Sequence, residues 1–107
     1  MIFIGSAGFH TWNKDHFKAE LGYDIREDAN KRQGLMTEAV NSILHYGFTE
    51  LGLRRVEACI GPDNQASIGV VNHFEFRQEG HLRAHYFRDD IFYDSLIFSL
   101  LKEEFIR

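Results

Sequence analysis

One segment combines positive charge, a glycine and the expected start of a helix, and could therefore bind an anion. It reads Lys31-Arg32-Gln33-Gly34-Leu35-Met36-Thr37 and leads into an amphipathic stretch. Backbone amides at a helix N-terminus lack intrahelical partners, and the helix dipole favours negative charge there. Gly34 would let a phosphate or pyrophosphate approach the backbone, while Lys31 and Arg32 add charge. Neither GxxxxGK nor GxGxxG occurs, so taken alone the segment is more often an ordinary connection.

The histidines and the cysteine indicate no metal site. His81 and His85 have the spacing of metal ligands on a helix, but their surroundings predict a strand. On a strand they would be ~13 Å apart, too far for one ion. Cys59 is the sole cysteine, which excludes a disulfide framework and a cysteine-rich zinc site. We expect its thiol to be buried and unreactive.

Size and composition limit the classes of protein that are possible. The 107 residues are 44% hydrophobic and 26% charged, which suits one domain over residues 1–107 with a single core. The net charge of −4 argues against an extended surface for nucleic acid. No apolar run is long enough to span a membrane, and the N-terminus does not resemble a signal peptide, so we expect a cytoplasmic protein.

Hydrophobic periodicity predicts a mixed α/β fold. The expected elements are a strand over 1–9, a loop over 9–18, a strand over 19–25, a charged loop over 26–33, a helix over 35–51, a strand over 54–60, a short helix over 64–74, and strands over 79–88 and 92–101. Apolar residues of the long helix recur at 36, 39, 40, 43, 44, 48 and 51, with Gly47 on the same face. The strand–helix–strand step over 19–60 is long enough for a parallel crossover, and Asp89-Asp90 is placed to join a hairpin.

Five segments together resemble the GNAT superfamily of acetyltransferases. They are Ala19–Tyr23, Gly34–Val40, Arg54–Ala58, Pro62–Ile68 and Glu79–Arg83. Any one of them would be unspecific, but all five stand in the right order and spacing from about residue 19 onward. The branch that acetylates ribosomal-protein N-termini is the most similar, and polyamine acetyltransferases are somewhat less so. The resemblance implies a mixed β-sheet, splayed at its centre and flanked by helices.

The resemblance also implies that acetyl-CoA is the cofactor. Its pyrophosphate would rest on the segment formed by Lys31, Arg32, Gln33, Gly34, Leu35, Met36 and Thr37. The family pattern ends in Gly or Ala where this chain has Met36, whose amide is still available. The pantetheine arm would lie between the strand ending at Ile25 and the strand over 56–60, near Ser67, and would be bound by Asn64. From the residues alone, Asn64 is a helix cap or turn residue.

Three residues are candidates for the acid–base chemistry that the resemblance implies. Glu20 would deprotonate the acceptor amine through a water, and Ser67 matches a serine proposed to protonate the departing thiolate. Tyr86 is a third candidate, since Val71 stands where many relatives have a tyrosine. From the residues alone, these three are a solvent-facing carboxylate, a polar first-turn residue and a packed aromatic. No suitable nucleophile is visible, so transfer would be direct.

The sequence departs from the family pattern in two ways. A complete domain of this family begins with another strand and two helices that help to form the acceptor site, and nothing here corresponds to them. We therefore expect an N-terminally truncated domain that forms a homo-oligomer through its N-terminal strand or C-terminal hairpin. Glu75 replaces a glycine, at a cost of about 1 kcal/mol if that residue needs positive φ.

The resulting expectation is acetylation of a primary amine, with a protein N-terminus preferred. Acetylation of a small amine or polyamine is the alternative within the same chemistry. A catalytically weak CoA-binding remnant that serves as an assembly module is the alternative from another class. Nucleic acid and membranes are not expected partners.

Overall fold

The computed structural model describes residues 5–25 and 29–106. The elements are β1 (Gly5–Asn13), a 3-10 helix (Lys14–His16), β2 (Lys18–Ile25), α1 (Ala29–Thr49), β3 (Arg55–Ile60), α2 (Gln65–His73), β4 (Arg77–Arg88), β5 (Ile91–Leu101) and α3 (Lys102–Phe105). The strands form one sheet in the order β1-β2-β3-β5-β4. The predicted α/β class is confirmed. Over this part of the chain, no helix is both long enough and apolar enough to cross a membrane.

The sheet is mixed because α1 connects two parallel strands. β2 pairs with β3 in parallel, whereas the pairs β1–β2, β3–β5 and β4–β5 are antiparallel. The strand–helix–strand step over residues 19–60 is thus a parallel crossover, as predicted. It places the start of α1 beyond the C-terminal end of β2.

α1 buries one residue per turn against the sheet. Met36, Val40, Leu44 and Phe48 are all at most 1% exposed and lie on the predicted face. Gly47 belongs to the same face, where a Cβ would lie 2.7 Å from Cζ of Phe9. Helix and strand approach closely there because the side chain is missing.

The start of α1 corrects the sequence prediction. Residues 29–33 were expected in a charged loop, but they form the first turns of the helix; residues 26–28 lie outside the described part. Hydrophobic periodicity predicts a helix only where one face of the helix is buried. Residues 29–33 are mostly polar or charged and show no such periodicity. The alanine, lysine, arginine and glutamine among them nevertheless have good helix propensity.

The N-terminal strand also differs from expectation. The predicted strand over 1–9 is displaced, because β1 continues to Asn13 and only the 3-10 helix separates it from β2; residues 1–4 lie outside the described part. The register shifts between Phe9 and Thr11, which leaves His10 as the extra residue of a β-bulge. A bulge interrupts the alternation of a strand, so the sequence pattern from Phe9 onward indicated a loop.

The C-terminal hairpin and the α2–β4 connection follow the predictions. Asp89 and Asp90 both adopt positive φ, at 52° and 63°, as the two central residues of a type I′ turn do. Glu75 follows α2 with φ of 61°, so the position does require the conformation that glycine adopts most easily. The predicted short helix is confirmed as α2.

Candidate functional site

The parallel strands β2 and β3 separate in the middle of the sheet. They pair only at Lys18–Arg55, Ala19–Val56 and Glu20–Glu57, although β2 continues to Ile25 and β3 to Ile60. A cavity of about 680 Å³ lies where they part. The predicted central splay of the sheet is therefore confirmed.

The cavity gathers most of the chemistry-bearing side chains that the sequence singled out. Its polar and reactive residues are His10 from β1, Glu20 and Tyr23 from β2, Cys59 from β3, Asn64 and Ser67 at the start of α2, and Tyr86 from β4. The three proposed acid–base residues Glu20, Ser67 and Tyr86 thus line one cavity. Among residues 34–37, which belong to the described part of α1, none lines it.

α2 begins at the cavity wall with an asparagine cap. Oδ1 of Asn64 accepts a hydrogen bond from the backbone N–H of Ser67 at 3.1 Å, so the cap interpretation of Asn64 is correct. Ser67 is 2% exposed, and its Oγ has no hydrogen-bond partner within the described residues. A buried hydroxyl without a partner is costly.

Tyr23 connects the two sides of the split. Its hydroxyl donates a hydrogen bond of 2.5 Å to the carbonyl oxygen of Ser67. Burial raises the pKa of the Tyr23 phenol well above its ordinary value, so the hydroxyl remains protonated and continues to donate. The bond links β2 to α2 beyond the last paired residues of β2 and β3.

Cys59 differs from its prediction. Val56, Ala58 and Ile60 occupy the buried face of β3, which leaves Cys59 on the other face, exposed and in the cavity wall. Its thiol is still partly desolvated, and this, with the negative charges of Glu20 and Glu57, raises its pKa. A protonated thiol is a weak nucleophile.

Tyr86 is both packed and accessible to the cavity. Its ring stacks on Tyr93 with centroids 5.4 Å apart, and the guanidinium of Arg88 lies over both rings. Its hydroxyl lies 3.9 Å from where a Cβ on Gly61 would be. The ring packs against Tyr93 although the residue is exposed, and a role of Tyr86 in proton transfer stays a prediction.

The start of α1 changes the expected anion site. α1 already includes Ala29, ahead of Leu35, where the sequence predicted the helix to start. The amides of Gly34, Leu35, Met36 and Thr37 lie further inside the helix, so the expectation that they are free is wrong. Gly34 and Leu35 are exposed, and a Cβ on Gly34 would meet no atom within 4 Å.

His10 was not selected by any pattern in the sequence. Its imidazole lies over Gly22, where a Cβ would come within 1.9 Å of Nε2. The contact depends on the bulge of β1 and on the register of β1 against β2. The sequence pattern could not predict this contact, because the bulge interrupts the alternation of side chains along β1.

The two histidines of β4 have other partners than a metal ion. Nε2 of His81 lies 2.7 Å from Oδ2 of Asp94, and Nδ1 of His85 lies 2.8 Å from Oγ of Ser95. Among the described residues, no group of three His, Cys, Asp or Glu side chains is placed so that it could hold a metal ion.

The sheet is mixed, its parallel central strands separate over a cavity, and a helix begins beside that cavity. This arrangement is the one expected of an acetyltransferase of the GNAT superfamily. Comparison with known proteins agrees: the family "Acetyltransferase (GNAT) domain" matches residues 2–77. The uncharacterised N-acetyltransferase p20 of Bacillus licheniformis is 38% identical over 102 residues, which cover 95% of this chain and 57% of p20. The chain belongs to the GNAT acetyltransferase family.

One further relative and one solved structure are also similar to this chain. YdaF of Bacillus subtilis, named as a candidate ribosomal N-acetyltransferase, is 32% identical over 94% of this chain and 54% of its own length. The spermidine N-acetyltransferase of Vibrio cholerae, solved with CoA and spermine, shares the fold with a TM-score of 0.85 at 23% identity, over 97% of this chain and 61% of that one. The chain spans about half the length of the curated relatives it matches.

Proposed function

We propose that the chain takes part in transferring an acetyl group from acetyl-CoA to a primary amine. The observation that carries the proposal is the cavity at the β2–β3 split, whose lining residues include both Glu20 and Ser67. Its volume of about 680 Å³ is within the usual range of ligand sites. Acetyl-CoA, when bound, supplies the acetyl group already activated as a thioester.

The cofactor-binding residues are proposed from the family resemblance together with the fold. By the resemblance, the pyrophosphate would be held by Lys31, Arg32, Gln33, Gly34, Leu35, Met36 and Thr37, with the positive charge coming from Lys31 and Arg32. Ile25 and Asn64 would flank the pantetheine arm. Oδ1 of Asn64 caps α2, so its side-chain amide N–H groups are the atoms that would donate to this arm.

The acid–base roles follow from the charges in the cavity. Glu20 would attract the acceptor ammonium and help to remove its proton through a water. Ser67 would donate a proton to the departing sulfur, with Tyr86 as the other candidate donor. The raised pKa of Cys59 keeps this thiol protonated and favours direct transfer over an acyl-enzyme.

We propose a protein N-terminal amine as the acceptor, supported by the ribosomal name given to YdaF. A small amine or polyamine is the alternative, supported by the spermine complex of the Vibrio cholerae enzyme that shares this fold. Peptides with free N-termini and a panel of polyamines, assayed for acetyl transfer beside a CoA titration, test both. CoA binding without turnover of any amine would favour the binding remnant, and no binding would refute the cofactor.

We also propose that the chain forms a homo-oligomer. Large apolar side chains stand exposed near the tip of the β4–β5 hairpin and on β1, among them Phe87, Phe92 and Trp12 at 58%, 66% and 45% exposure. Exposed apolar clusters and strand edges favour self-association. Light scattering at low micromolar concentration tests this, since a monodisperse monomer would contradict it.

A further inference from the structure

His10 occupies a position in the cavity that needs both a bulge and a glycine. The bulge between Phe9 and Thr11 makes His10 the extra residue of β1, opposite the stretch Glu20–Leu21 of β2. Its ring covers Gly22, and a Cβ at that glycine would lie 1.9 Å from Nε2 and 2.5 Å from Cδ2 of the imidazole. Any other residue at position 22 would displace the ring. The imidazole therefore lies against Gly22 and lines the cavity.

The imidazole is accessible and uncommitted. His10 is exposed, lines the cavity, and makes no hydrogen bond or ion pair among the described residues. By contrast, His81 and His85 of β4 are engaged with Asp94 and Ser95. A ring that is positioned but has no partner remains able to exchange a proton with a ligand.

Amine acetylation needs a group that accepts a proton near neutral pH. Amines react through the nitrogen lone pair, which an ammonium lacks. Imidazole is the side-chain class that changes charge between pH 5 and 8, whereas carboxylates as a class titrate far lower. A general base works best when its pKa lies near the working pH.

We propose that His10 is the catalytic base that takes the proton from the acceptor ammonium, an inference that rests on the function proposed above. The N–H bond of the ammonium breaks, its proton moves to the imidazole directly or through one water, and the nitrogen keeps the electron pair. Attack of that pair on the acyl carbon would form the C–N bond and break the C–S bond of the thioester. The thiolate would leave and take up the second proton that the nitrogen loses. The imidazolium then returns the proton to solvent. Glu20 attracts the cation and polarises the water, so the two residues have different roles.

The other titratable groups of the cavity are compatible with this assignment. Glu20 of β2 lines the same cavity and carries a negative charge. Tyr23 of β2 and Cys59 of β3 both have raised pKa values, because both are desolvated, and they remain protonated. Tyr86 of β4 completes the set.

The test compares His10→Gln with His16→Gln, a histidine that is also exposed but lies outside the cavity. With an ordinary primary amine, kcat/KM of His10→Gln should fall roughly 100-fold and lose the part of its pH profile that rises as an imidazole deprotonates. With a weakly basic amine such as aminoacetonitrile, which is unprotonated at neutral pH, the kcat/KM of His10→Gln should stay close to that of the wild type. The KM for acetyl-CoA and the Tm should stay as in the wild type, and His16→Gln should behave as the wild type throughout.

A second pair of variants tests the placement of the ring. Gly22→Ala should lower kcat/KM in the wild-type background, because its methyl group displaces the imidazole. In a His10→Ala background the same substitution should cost little, so the two effects should be strongly non-additive. Additive effects would overturn the proposed placement.

The outcomes separate this inference from the proposed function. An active wild type whose rate and pH profile survive His10→Gln would overturn the role of His10 alone. An equal loss with both amines would assign His10 a structural role and also overturn it. A wild type that binds CoA but acetylates no amine would refute the proposed function, and the role of His10 with it.

Discussion

The hydroxyl of Tyr23 donates a hydrogen bond to the carbonyl oxygen of Ser67 across the gap between β2 and α2. After Glu20, β2 no longer pairs with β3, and this hydrogen bond joins β2 to the first turn of α2 instead. The same turn carries the Oγ of Ser67, which has no hydrogen-bond partner among the described residues.

Replacing Tyr23 by phenylalanine should loosen the cavity without unfolding the protein. The loss of a part-buried hydrogen bond should lower the free energy of unfolding by about 1 kcal/mol, and the affinity for CoA should fall several-fold because the cavity wall is less fixed. Tyr46→Phe is the matched control, since Tyr46 is exposed on α1. Thermal unfolding and a CoA titration measure both effects. Unchanged CoA affinity in Tyr23→Phe would show that the bond does not shape the binding site.

Gly34→Ala should change stability and CoA binding in opposite directions. Gly34 lies within α1, where a Cβ meets nothing within 4 Å, so alanine should stabilise the helix by up to about 1 kcal/mol. If the pyrophosphate approaches the backbone here, the same methyl group should weaken CoA binding. Ser42→Ala, on an exposed position further along α1, should raise the Tm without affecting CoA. Equal CoA affinity in Gly34→Ala and wild type would exclude close approach at this residue.

Alkylation of Cys59 should report the charge of Glu20. Desolvation first, and then the carboxylates of Glu20 and Glu57, raise the pKa of the thiol, so iodoacetamide should react more slowly with the native than with the unfolded chain at neutral pH. Glu20→Gln removes one negative charge and should move the midpoint of the rate–pH curve to lower pH. Glu50→Gln, at the exposed C-terminal end of α1, should leave the curve unchanged. Because the chain has one cysteine, mass spectrometry reads this reaction directly.

The turn of the β4–β5 hairpin can be stabilised by one substitution. Asp90 has φ of 63°, so Asp90→Gly should remove backbone strain and raise the free energy of unfolding by about 1 kcal/mol. Asp90→Ala removes the same charge but keeps a Cβ, and should not stabilise. Chemical denaturation of the two variants separates the effect of conformation from that of charge. A stabilisation shared by both would point to charge.

The packed elements were predictable because burial leaves a period in the sequence. Met36, Val40, Leu44 and Phe48 mark the buried face of α1, and the Asp89-Asp90 pair marks the hairpin. The first turns of α1 could not be found in this way, since residues 29–33 have no apolar period.

The cavity itself required the tertiary structure. Glu20, Ser67 and Tyr86 were selected through the family resemblance, and the fold brings all three to one cavity. The exposure of Cys59 was predicted wrongly, because alternation assigns a residue to a face of a strand without revealing what covers that face.

The amino-acid sequence by itself determined the α/β class, the helix face, the parallel crossover and the family, because these depend on local periodicity and on ordered motifs along the chain. Only the tertiary structure decided where β2 and β3 separate, that Tyr23 bonds to Ser67, and that His10 rests on Gly22. Each of these depends on the register between elements distant in sequence. A bulge or a strand separation changes that register without leaving a periodic trace in the residues themselves.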